Sequence, residues 1–109
     1  MSLRLSLVLA FTFAVTTSVA ANKKAAGQHH TITIENVAFT PAELTIQKGD
    51  TVEWVNKDII PHTVTTEKKG FDSGNMGTGA TWKYEAKKSG SFDYRCNFHP
   101  NMKAKLIVK

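Results

Sequence analysis

From Thr31 to the C-terminus, apolar and polar residues alternate in short runs, and no stretch spaces its apolar residues at a helical period. A period of two places successive side chains on opposite faces of a strand, so each run can bury one face and wet the other. Thr31 to Glu35 sets Ile32 and Ile34 on one face, and after Pro41 a further run spans Leu44 to Gln47. Lys48-Gly49-Asp50 is a turn, and Thr51 to Asn56 then groups Val52 with Trp54 opposite Glu53. A run from His62 to Thr66 follows Pro61, and Gly70 to Gly79 is glycine-rich without a strand period. Ala80 to Ala86 groups Trp82 with Tyr84, and Ser91 to Cys96 groups Phe92, Tyr94 and Cys96. Lys103 to Lys109 turns Ala104, Leu106 and Val108 inward and its lysines outward. Short alternating segments separated by turns predict an all-β fold, a Greek-key antiparallel β-sandwich of about seven to eight strands.

The N-terminus is of a different kind. Arg4, the apolar run Leu5 to Val15, and small residues through Ser18-Val19-Ala20-Ala21 read as a secretory signal over residues 1–21. The run is shorter than the roughly 20 apolar residues of a membrane-spanning helix. Cleavage leaves about 88 residues, which begin with a flexible leader at 22–30. Residues 31–109 then form one small domain, exported to the periplasm, with no membrane insertion after cleavage.

The formal net charge of the chain is +5. Its lysines are scattered and lack an aromatic-rich basic motif, which argues against nucleic-acid binding. A domain this small is often stapled by disulfides or a metal. Cys96 is the only cysteine, so an internal disulfide is excluded and a metal is the better staple.

Cys96 also opens the spacing Cys96-Asn97-Phe98-His99-Pro100-Asn101-Met102. Thiolate, imidazole and thioether on one short loop form a soft donor set that favours copper. Parity with Phe92 and Tyr94 turns Cys96 inward, and His99 and Met102 are expected on the loop before the last strand. A fourth ligand must come from elsewhere, and the candidates are His29, His30 and His62. His29 and His30 fall in the leader. His62 shares parity with Val64, follows Pro61, and has Ile59 and Ile60 beside it, so it is preferred. Two imidazoles and a thiolate in a plane, with a weak axial methionine, make a blue-copper electron-transfer site. Met76 is read as filler in the glycine-rich loop, and Trp54 and Trp82 as sandwich packing.

The segment from Gly90 to Val108 resembles the end of a cupredoxin of the plastocyanin/amicyanin group, and its Cys-x2-His-x2-Met loop is the short one of the amicyanin type. Phe39-Thr-Pro41, Leu44-Thr-Ile46, Lys48 to Asn56, Pro61-His62-Thr-Val64 and Phe71-Asp-Ser-Gly74 extend the resemblance over residues 31–109. The resemblance implies one type 1 copper ion held by His62, Cys96, His99 and Met102, with His99 as the electron port. It implies a non-enzymatic, monomeric carrier serving redox proteins such as c-type cytochromes or a periplasmic dehydrogenase or oxidase. Three positions depart from the pattern: Thr63 stands where asparagine is usual, Phe98 where proline is usual, and Ala104 where glycine is usual. The alternative function is periplasmic copper binding and delivery with the same ligands. A metal-free interaction domain is disfavoured by the complete ligand set. A multicopper oxidase would need a trinuclear histidine cluster, and a dinuclear centre a second cysteine.

Overall fold

The computed structural model describes residues 27–68 and 70–109, with isolated positions 2, 10 and 12. Apart from those positions, the expected signal segment 1–21 and the leader up to 26 lie outside the described residues. Among the described residues no helix is long and apolar enough to cross a membrane.

Eight strands form the domain: β1 (His29–Glu35), β2 (Ala38–Thr40), β3 (Glu43–Ile46), β4 (Thr51–Asn56), β5 (Thr65–Thr66), β6 (Thr81–Glu85), β7 (Gly90–Cys96) and β8 (His99–Val108). They pack as two four-stranded sheets, ordered β2-β1-β4-β6 and β3-β8-β7-β5. The sandwich is the one the alternation predicts, but its pairing is mixed rather than wholly antiparallel: β1 runs parallel to β4, and β3 parallel to β8. The chain leaves the first sheet after β2, contributes β3 to the second, and returns as β4 beside β1. That excursion through the opposite sheet is what permits parallel neighbours, because a hairpin cannot join them.

The alternation is realised in burial. Ile32 and Ile34 of β1, Val52 and Trp54 of β4, and Leu106 and Val108 of β8 are buried. Trp54 is at the centre, edge-to-face with Tyr94 at 5.6 Å and tilted against Trp82 at 5.5 Å. Its indole Nε1–H donates to the Tyr94 hydroxyl at 3.3 Å, which satisfies a polar atom that would otherwise be orphaned in the core.

Three boundaries differ from the alternation. β1 begins at His29, and His29 and His30 pair with Thr51 and Val52. They therefore belong to a strand and not to a flexible leader. The run from His62 to Thr66 forms only the two-residue β5; His62 lies outside it and bridges Met76 instead. β8 starts at His99, so His99 and Met102 lie in the strand rather than on a loop before it. Asn97 and Phe98 alone make the turn of the β7–β8 hairpin, and Cys96 is opposite His99.

Parallel pairing of β1 with β4 brings their C-terminal ends to one end of the sandwich. The turn after β1, the loop after β4 and the β7–β8 turn meet there, and that end holds the site.

Candidate metal centre

Cys96 reaches the site from the last residue of β7, on the inward parity of Tyr94, and is completely buried. His62 reaches it from the β4–β5 connection and is likewise completely buried. Reciprocal backbone hydrogen bonds fix His62 against Met76: His62 N–H donates to Met76 O at 3.1 Å, and Met76 N–H to His62 O at 2.8 Å. Met76 is buried beside it, a core residue of the glycine-rich segment. His99 is half-buried at the start of β8, and Met102 is buried three residues further on.

The geometry converges on one point. His62 Nδ1 and His99 Nδ1 each lie 3.6 Å from Cys96 Sγ. The ligand atoms of the three residues all lie within 4.8 Å of one another. Bonds of about 2.0 Å to nitrogen and 2.3 Å to sulfur, at trigonal angles, would separate N and S by about 3.7 Å. Both nitrogen–sulfur separations therefore match those of a trigonal metal site. The structure brings His62, Cys96 and His99 together and buries Met102 on the same strand as His99. His29 and His30 are in a different place, at the far end of β1 beside Asp50 and Glu53.

Two residues hold His62 in place that the sequence analysis did not single out. His62 Nε2–H donates to Asp58 Oδ2 at 2.7 Å, which fixes the tautomer and leaves the Nδ1 lone pair facing the sulfur. The same carboxylate accepts Asn36 N–H at 2.7 Å and Val37 N–H at 2.9 Å. The Val37 amide, then the His62 ring and Asn36 amide, hold the Asp58 carboxyl below its ordinary value of 3.8, against the opposing effect of desolvation. Asn56, completely buried, accepts Asp58 N–H at 3.0 Å and donates from Nδ2 to Ile60 O and Met76 O at 3.0 and 2.9 Å. Parity was its signal: Asn56 shares the inward face with Val52 and Trp54, where a polar residue needs partners. Asp58 had only its four-residue spacing to His62.

Thr63, at the position where asparagine is usual, ties the two ligand segments together. Its N–H donates to Cys96 Sγ at 3.3 Å, and its Oγ1 accepts Asn97 N–H at 2.9 Å. Outside the ligands, the surface is apolar. Val37, Phe98, His99, Pro100, Asn101 and Met102 line a shallow pocket. Phe98 is 52% exposed and Ile59, in the loop after β4, is 90% exposed.

Comparison with known proteins agrees with this arrangement. The family model described as a cupredoxin-like domain matches residues 5–108. The chain is 35% identical over 81 residues to amicyanin of Paracoccus versutus, an alignment covering 70% of this chain and 61% of that protein; the chain thus spans less than two thirds of that relative's length. Among solved structures, a purple cupredoxin from Nitrosopumilus maritimus superposes with a TM-score of 0.69 at 26% identity, covering 73% of this chain and 99% of that one. The reduced state of an amicyanin mutant superposes with a TM-score of 0.69 at 26% identity, covering 83% of this chain and 88% of that one.

Proposed function

The chain belongs to the cupredoxin-like family, and from that premise we propose that it is a small electron carrier holding one type 1 copper ion through His62, Cys96, His99 and Met102. The observation that carries this reading is the pair of imidazole Nδ1 atoms, each 3.6 Å from one buried thiol. A copper ion held there supplies one-electron exchange between Cu(II) and Cu(I).

The remaining features are work done by the protein. Asp58, Met76 and Asn56 lock His62, and the two-residue turn locks Cys96 opposite His99, so the ligands keep their places when the charge at the site changes. His99 is the half-buried ligand, set among Val37, Phe98 and Pro100, so its ring is the route by which an electron leaves. A small apolar contact with few hydrogen bonds suits a brief redox encounter. Partners on this reading are periplasmic redox proteins, such as c-type cytochromes or a dehydrogenase or oxidase. Residues 1–21 serve as the export signal, and the carrier acts as a monomer that catalyses no reaction of its own.

Visible and electron-paramagnetic-resonance spectra of the copper-loaded protein test the proposal. Intense absorption in the visible is expected from copper–thiolate charge transfer, and Cys96→Ser should abolish it. A Cys96→Ser protein that stays blue would overturn the assignment.

A further inference from the structure

We propose that Asp72 is a positioning residue for the metal centre, acting on the ligand hairpin through a polarised relay of two threonine hydroxyls. The relay begins at the hairpin turn, where Asn97 N–H donates to Thr63 Oγ1 at 2.9 Å. Thr63 Oγ1 lies 3.0 Å from Thr65 Oγ1, and Thr65 Oγ1 lies 3.1 Å from Asp72 Oδ1.

Its direction follows from donor counting. A hydroxyl has one proton, and an ionised carboxylate can only accept. Thr65 therefore donates to Asp72 and has no proton left for Thr63. Thr63 must donate to Thr65, which leaves its oxygen lone pairs to receive Asn97 N–H. The Thr63 proton is thereby committed to Thr65, while the Thr63 backbone N–H donates to Cys96 Sγ at 3.3 Å. Hydrogen bonding around the cysteine sulfur tunes the potential of such a site, so an exposed carboxylate two side chains away, by holding Thr63 in place, positions the backbone donor that the sulfur meets.

The far end of the relay is built in. Thr65 and Asp72 form an antiparallel bridge. Gly74 N–H donates to the same Asp72 Oδ1 at 2.9 Å, from a glycine at φ 66°. Val64 N–H donates to Ser73 Oγ at 2.7 Å, and Ser73 N–H to Val64 O at 2.9 Å. The carboxylate is thus held in register with the hydroxyls by backbone on both sides.

The effect on potential rests on the copper reading, whereas the relay itself does not, and the two are tested separately. In the metal-free protein, hydrogen exchange of the Asn97 amide reports the first link. Asp72→Ala and Thr65→Val should each speed it by about three- to tenfold, the worth of one weakened hydrogen bond, and the double variant should be no faster. Thr65→Ser, which keeps a hydroxyl, should restore the wild-type rate. In the copper-loaded protein, Asp72→Ala should shift the midpoint potential more in the wild-type background than in Thr65→Val. Equal shifts in both backgrounds would show that Asp72 acts only as a distant charge, and that overturns the proposal. So would an Asn97 exchange rate that ignores all three substitutions. A protein that binds no copper would sink the copper reading and leave the exchange measurement to decide the relay.

Discussion

Val37 and Asn36 sit at φ 56° and 55°, the left-handed region. Asparagine tolerates it, but a β-branched residue there is strained. Asp58 holds both amides in place, and the strain puts an apolar side chain, 43% exposed, into the pocket beside His99. Val37→Gly should relieve that strain and stabilise the protein by about 1 kcal/mol, read as a higher melting temperature. It should also weaken association with a redox partner. Asp58→Ala acts on the other side of the same link, leaving the buried His62 Nε2–H without its acceptor. Loss of a carboxylate that orients a metal-binding histidine lowers metal affinity by about 10- to 100-fold. Competition titration with a copper chelator checks this, and wild-type affinity in Asp58→Ala would contradict the orienting role.

At the scale of elements, the end of the sandwich away from the site is pinned by Asp50, just before β4. Its carboxylate accepts His30 Nε2–H at 2.9 Å, Gln47 N–H at 3.0 Å and Gln28 N–H at 2.8 Å. The His30 hydrogen bond, with the Gln47 and Gln28 amides, holds its pKa below the ordinary 3.8. The folded state therefore binds that proton less readily than the unfolded chain. The stabilisation is complete above the unfolded value and is lost as pH falls through the folded one. Wild type should exceed Asp50→Asn in stability near neutrality, and the gap should close in acid unfolding curves below about pH 4. The link between the sheets has the opposite sign. Burial pushes Tyr94 of β7 up to about 12, from an ordinary 10.0, only partly opposed by the Trp54 hydrogen bond. The unfolded chain releases the proton first, so stability should decline from about pH 10 up to the folded value. Tyr94→Phe should lose that component of the alkaline decline. At neutral pH it should cost about 1–3 kcal/mol for the unpartnered Trp54 Nε1–H, measured by denaturant unfolding.

The whole molecule is polarised. Among the described residues the exposed large apolar side chains are Val37, Ile59, Ile60 and Phe98, all in the turns and loop at the end that holds the site. The core between the sheets, from Ile32 and Trp54 to Leu106 and Val108, is one cluster of buried apolar side chains. The metal-free protein is therefore expected to fold, with the metal adding stability by linkage. Free copper at about 1,000 times its dissociation constant adds about 4 kcal/mol. Thermal unfolding with and without copper should show that increment in wild type and a much smaller one in Cys96→Ser.

Alternation along the chain determined a great deal by itself, because a period of two is a local property: the all-β class, the inward faces of β1, β4 and β7, and the inward aim of Cys96. Residue chemistry and spacing singled out Cys96, His99 and Met102 on one segment and His62 on another. Pairing was not legible, since which strands lie side by side depends on partners distant in the chain; hence the parallel β1–β4 and β3–β8 pairs. His62 outside β5 and His99 inside β8 were missed for a related reason. A two-residue turn can extend a strand through positions that lack a period, and a bridge to Met76 can hold a residue that belongs to no strand. Only the tertiary structure placed Asp58, Val37, Thr65 and Asp72 around the ligands. Hydrogen bonds joining segments up to 34 residues apart leave no repeating mark on the sequence; they exist only once the sandwich brings its loops to a common end.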